Sequence, residues 1–268
     1  MTYEGGIEMA VYSIKGEQLR KVAHFFDGWE ETLIWSALQE CMGSVFADSI
    51  EHPTAAQVVI ADFCFLAGQP QLELVLHNPN KSKSQFIIMV PENEAWAKLI
   101  EESYGSHAKK ITRYAIKKEP NVFDPLRLKA AIERIGSDYE IKLIDEAIYQ
   151  QAMASEWSRD LCSQFENDEV YKEKGLGVAV LYKGELVSGA SSYTRYNEGI
   201  EIEIDTKTEF RRKGLAYAAA AKLILECIDR NLYPSWDAQN KWSVALAEKL
   251  GYHFDKEYTA YEISLFGL

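Results

Sequence analysis

The sequence is short of what several functional classes need. It has four cysteines in 268 residues, Cys41, Cys64, Cys162 and Cys227. They are widely spaced with no C-x-x-C pair, so neither a zinc ribbon nor a dithiol redox motif is indicated. The five histidines, His24, His52, His77, His107 and His253, show no H-E-x-x-H or other ligand spacing, and no metal is expected. No apolar run is long enough to span a bilayer and no signal peptide opens the chain, so no membrane is expected and the expected location is the cytoplasm. Positive charge is scarce too: 29 Lys and Arg stand against 41 Asp and Glu, a formal net charge of −12. A polyanion would be repelled on average, which makes nucleic acid a poor partner.

What is present is ample core material, 47% hydrophobic residues, enough for one or two domains. Against the acidic background one stretch, residues 206–228, concentrates positive charge. Before it, Gly199-Ile-Glu-Ile-Glu-Ile-Asp205 alternates strictly between apolar and polar, the mark of a half-buried strand. Within it, Ala216, Ala220, Leu223, Ile224, Cys227 and Ile228 recur at helical spacing. Between the alternating strand and this helical run lies Arg211-Arg212-Lys213-Gly214. A helix start leaves N–H groups without intrahelical partners and carries partial positive charge. Gly214 has no Cβ to keep a ligand from the backbone, and three cationic side chains stand beside it. Strand, basic turn and helix together make a site for a phosphate or pyrophosphate. Neither G-x-x-x-x-G-K-[ST] nor G-x-G-x-x-G is present, so this is not a P-loop or a dinucleotide fingerprint.

The pattern Arg211-x-x-Gly214-x-Ala216 after an alternating strand resembles the pyrophosphate-binding signature [QR]-x-x-G-x-[GA] of the GNAT superfamily of acyl-CoA-dependent N-acetyltransferases. A second stretch, Asn240-Lys-Trp-Ser243 running to Lys249-Leu-Gly251-Tyr252, resembles that family's next motif, an Asn opening a helix that ends in K-L-G-[FY]. The resemblance covers the second half of the chain, from about residue 137 to the end. It implies an α/β (α+β) fold with a mixed central sheet flanked by helices, and acetyl-CoA or another acyl-CoA as co-substrate. By motif position, Ile204, Asp205 and Thr206 would hold the pantetheine arm. Arg211, Arg212, Lys213, Gly214, Leu215 and Ala216 would hold the pyrophosphate. Asn240, with Ser243 beside it, would bond the arm; the same Asn also reads as a plain helix N-cap.

Taken in order, residues 8–14 read as a strand, 17–26 and 29–42 as helices, 56–66, 71–76 and 85–90 as strands, 91–104 as a helix, 110–117 as a strand and 124–135 as a helix. The second half repeats the string. Residues 139–144 read as a strand, 145–154 and 158–167 as helices, then strands 177–182, 185–196 and 199–206. The cofactor helix, strand 232–236, helix 240–250 and a hairpin of 252–258 with 260–266 complete it. The expected domains are therefore 1–136, an α/β domain that reads as a degenerate GNAT-like copy or as an unrelated fold, and 137–268, the GNAT domain, linked near Gly136-Ser137-Asp138. The turn of the first half that corresponds to 211–216 is Pro91-Glu-Asn-Glu94; it is acidic and would repel a pyrophosphate.

Acyl transfer to an amine needs a base for the amine proton. Glu201, Glu203 and Asp205 share one face of their strand, and the resemblance implies that Glu201 or Glu203 takes this role, with Glu203 nearer the expected thioester. The other reading is a solvated sheet face. Many relatives carry a Tyr in the second motif as acid; here the matching residue is Ala247, with Ser243, Tyr252, Tyr258 and Tyr261 as substitutes. The expected activity is acetyl transfer to the amine of a small molecule, with acceptor choice set by the first-half helices and the loops near Tyr193 and Asn197. The competing readings are a non-catalytic acyl-CoA-binding regulator or scaffold, and acetylation of a protein. The oligomeric state, a homodimer included, is left open.

Overall fold

The computed structural model describes residues 10–80 and 86–265. It divides into two compact units: the first runs through Thr112 and resumes at Thr259, and the second is Arg113–Tyr258.

The first unit carries β1 (Tyr12–Ile14), α1 (Thr32–Leu38), β2 (Ser44–Ala47), β3 (Ala55–Ile60), β4 (Phe63–Gly68), α2 (Leu72–Leu76), β5 (Phe86–Pro91), α3 (Glu94–Tyr104) and most of β6 (Ala108–Ile116). Strands β1 to β4 run antiparallel in chain order, and β5 pairs parallel to β4. Its core includes Trp96, Ile100, Leu66 and Met89, all fully buried.

The second unit continues with α4 (Pro125–Glu133), β7 (Tyr139–Leu143), α5 (Glu146–Ala154), α6 (Asp168–Lys174), β8 (Gly177–Tyr182), β9 (Glu185–Tyr196), β10 (Gly199–Thr206), α7 (Leu215–Asp229), β11 (Tyr233–Ser235), β12 (Asp237–Ala238), α8 (Lys241–Leu250) and β13 (Phe254–Ser264). Its sheet runs β11-β10-β9-β8-β7, antiparallel except for the parallel β10–β11 pair. Helix α7 packs on β8, β9 and β10 and on α4. A run of four buried alanines, Ala218 to Ala221, lets it sit close to both neighbours. Its buried face is consequently wider than the spacing predicted, while Ile228, expected on that face, is exposed.

Several expected elements differ. Residues 56–66 form two strands, not one, joined by a tight turn in which Ala61 adopts φ +51° without the usual glycine or asparagine. The 71–76 stretch, strand-like by alternation, folds as the short helix α2 that buries Leu74 and Val75. Residues 17–26 are two 3-10 turns, and 158–167 holds only the 3-10 turn Arg159–Leu161. The expected closing hairpin is one continuous strand, β13, whose residues 261–264 pair with β5. Part of the expected first strand, Glu8 and Met9, lies outside the described residues, as does Gln85. The compact units meet in sequence at 112/113 and 258/259; α4 packs on α7 within the second unit, and the end of β13 joins the sheet of the first.

Candidate active site

The site is built where β10 parts from its parallel neighbour. Strand β11 pairs with β10 only at Gly199, Ile200 and Glu201. Beyond Ser235 the chain leaves as β12, which pairs with Tyr114 and Ala115 of β6 instead. Among the described residues, 202–206 of β10 are therefore laddered to β9 alone, with no strand on their other edge. Ile204, Asp205 and Thr206 all lie in this one-sided segment.

A register shift falls between Glu201 and Ile202, and the extra residue is Tyr193 of β9. Because β9 takes the bulge, β10 keeps its alternation. Ile200 and Ile202 enter the core, with Ile204 packed against it. Glu201, Glu203 and Asp205 share the opposite face. There they diverge. Glu201 sits beside Ser235, where β11 still covers the strand, and is buried. Glu203 and Asp205 are half-buried in the parted segment.

Burial pushes the Glu203 carboxyl up to about 8, helped by repulsion from Asp205 and Asp160 and opposed by the backbone N–H of Ile204 and the Arg113 guanidinium. Asp205 is raised to about 6 by burial and by Asp160, against the pull of Arg211. Asp160 comes from the 3-10 turn Arg159–Leu161, which packs on β9 and β10. Gly189, directly opposite Asp205 on β9, leaves room for that approach: a Cβ there would stand 2.7 Å from Leu161 Cδ1. Nearby, Arg113 pairs with Asp237 at 2.5 Å, and the Tyr258 hydroxyl donates to the same carboxylate at 2.9 Å.

At the end of β10 the chain bends through Arg212, at φ +61°, and Gly214, at φ +81°. An arginine in the left-handed region costs about 1 kcal/mol or more, a strain that persists where function needs the turn. No side chain caps α7, and its first intrahelical bond is Ala218 N–H to Gly214 O, 3.0 Å. The N–H groups of Leu215, Ala216 and Tyr217 are thus left without helical partners. A Cβ on Gly214 would meet nothing within 4 Å, so the space before the turn is open. It belongs to a cavity of about 760 Å³ lined by five cationic side chains, Arg127 and Arg134 of α4, Arg211 and Arg212 of the turn, and Lys249 of α8, with no acidic residue among the described lining. Lys213 points elsewhere, lying 4.6 Å over the Phe210 ring.

The remaining candidates fall into supporting positions. Asn240 caps α8, its Oδ1 accepting from Ser243 N–H at 3.0 Å, and it is exposed. Ser243 Oγ accepts from Trp236 Nε1 at 3.0 Å. Ala247 is fully buried in the core. Tyr252, buried, donates to Pro234 O, and Tyr261, in the first unit, donates to Glu101. Sequence reasoning missed Asp160, Arg113, Arg127, Arg134 and Lys249. The two arginines of α4, seven apart, were visible as a shared helix face, but nothing local said what that face meets.

A parted strand, a raised carboxyl on its open segment and an uncapped helix behind a basic turn form one arrangement. The family model described as GNAT acetyltransferase matches residues 23–261. The chain is 26% identical over 249 residues to the uncharacterized N-acetyltransferase YdfB of Bacillus subtilis, covering 88% of this chain and 92% of that one. It is 46% identical to a GCN5-related N-acetyltransferase-like protein from Streptococcus suis of known crystal structure, with TM-score 0.86 over 92% of this chain and 98% of that one. A GCN5-related N-acetyltransferase from Sphaerobacter thermophilus shares the fold at 9% identity, with TM-score 0.55 over 95% and 96% of the two chains. With a match over most of its length and the turn and parted strand in place, the chain belongs to the GNAT acetyltransferase family.

Proposed function

We propose that the protein transfers the acetyl group of acetyl-CoA to the amine of a small molecule by direct attack. The observation that carries this reading is the pairing, on one strand, of an open edge over residues 202–206 with the raised carboxyl of Glu203. The cavity fits the donor: its lining is cationic and the uncapped N–H groups of Leu215, Ala216 and Tyr217 can take a pyrophosphate. Acetyl-CoA supplies an acyl group activated as a thioester. Arg211, Arg212, Gly214, Leu215 and Ala216 hold its pyrophosphate, and Lys213 contributes charge alone. Backbone groups of Ile204, Asp205 and Thr206 hold the arm, with Asn240 and Ser243 at the head of α8 next to it.

Glu203 is the base. A carboxyl ionising near 8 is matched to removing a proton from an ammonium at neutral pH. Glu201 is enclosed under β11, which favours Glu203 between the two. Asp160 and Asp205 add negative charge that draws in a cationic acceptor. No tyrosine stands at the position of Ala247, and a thiolate is a good enough leaving group to depart without a dedicated acid. The raised carboxyl favours this enzyme over a scaffold that only binds acyl-CoA. The first unit, whose helix α3 is capped by Asn93 and flanked by Glu92 and Glu94, fits a degenerate copy without a pyrophosphate site.

The test is calorimetric titration of acetyl-CoA into wild type and Gly214→Glu protein, with thermal melts to show that both are folded. Micromolar binding by wild type that is lost in the folded variant is expected. No binding by wild type would overturn the reading.

A further inference from the structure

Arg127 and Arg134 lie outside both sequence motifs. They sit on α4 and at its C-terminal cap, seven residues apart, so they share a face about 10 Å long. Ala130 lies between them on that face, and its small side chain leaves the cavity open. Lys249, from α8, completes the wall. All three cations are exposed, and among the described residues none of them is in an ion pair. What sets them apart is their gathering, with Arg211 and Arg212, around one cavity whose described lining holds no carboxylate; in a protein of net charge −12 such a group calls for an anionic occupant. The turn has its own arginines and free N–H groups for one phosphate pair. The α4 and α8 wall is a second source of charge, borne by different elements.

We infer that Arg127, Arg134 and Lys249 form a second anion subsite that takes the ribose 3′-phosphate of coenzyme A and makes the protein select the 3′-phosphorylated donor. This rests on the reading of acetyl-CoA as co-substrate. A phosphate monoester is dianionic and presents three acceptor oxygens, and so suits two guanidinium forks and an ammonium better than either singly charged phosphate of the pyrophosphate does. None of the three residues is needed for the core, so their replacement leaves the fold intact.

The experiment titrates acetyl-CoA and acetyl-3′-dephospho-CoA into wild type and into the Arg127→Gln/Arg134→Gln double variant. Wild type is expected to prefer acetyl-CoA by at least about tenfold, the worth of one charged hydrogen bond. The double variant is expected to lose that preference while binding the dephospho form as wild type does. Equal binding of both donors by wild type, or an equal loss for both in the variant, overturns the subsite and leaves acetyl-CoA binding standing. Binding of neither donor by wild type overturns the co-substrate reading, and the subsite with it.

Discussion

In the proposed mechanism Glu203 is the residue on which the chemistry turns, and its environment makes two opposite demands. As a base it must be ionised, so kcat/KM is expected to rise with pH through an apparent value near 8. Glu203→Gln is expected to lower kcat/KM by about 100-fold or more; retention of activity with an unchanged pH limb would remove Glu203 from the mechanism. For stability the sign is reversed. Its folded value lies above its ordinary 4.5, so its contribution is fully present below 4.5 and is lost as pH rises to about 8. The same variant should therefore melt higher than wild type at pH above 8 and no higher in acid, a trade of activity for stability. Asp160 gives a finer test. Removing a like charge favours the ionised form, so Asp160→Asn should move the acidic limb of the pH profile to lower pH. An upward move would show that Asp160 acts on Glu203 by something other than repulsion. Alternation placed Glu203 on one face with Glu201 and Asp205 and left the choice between the two glutamates open; Asp160, more than forty residues away in sequence, was not legible, because repulsion acts through space.

At the scale of elements, two helix starts show what a cap decides. Helix α3 begins at Asn93, whose side chain accepts from Ala95 and Trp96 N–H and so uses the groups a phosphate would need. Helix α7 begins at Gly214, which has no side chain to do this. Helix α8 follows the first pattern, so Asn240→Ala should destabilise the second unit by about 1 kcal/mol, while Asn240→Asp should not. Chemical denaturation without ligand measures this, and an unchanged midpoint for Asn240→Ala would show that the cap is not limiting. Strands β8, β9 and β10 were legible to the residue because polar turns such as Lys183-Gly184 separate them, even though β8 and β9 are buried on both faces. The β3–β4 turn was not: both strands are buried on both faces, and Ala61-Asp62 carries no turn signal. In α2, alternation of leucine with polar residues imitates a strand, and tertiary packing overrides it.

Over the whole molecule, charge segregation is the controlling feature. The chain is acidic, yet the cavity beside α7 is lined by cations. Direct contacts lie well inside a Debye length, and the repulsion from the remaining surface lies mostly outside it. Raising salt from about 0.05 M to about 0.5 M should therefore weaken acetyl-CoA binding, even though it also screens the net charge. Calorimetry at the two concentrations decides; tighter binding at high salt would show that the long-range field dominates. The sequence by itself determined the strand, basic turn and helix, and with them the proposed class of ligand, because a pyrophosphate site of the kind proposed is local: consecutive backbone N–H groups and adjacent side chains make it. It also placed three carboxylates on one face of β10. Only the tertiary structure decided which carboxylate is open, since that depends on where β11 leaves β10. It also decided that α4 brings Arg127 and Arg134 to the cavity, since a helix face is periodic in sequence but its neighbour is chosen by packing.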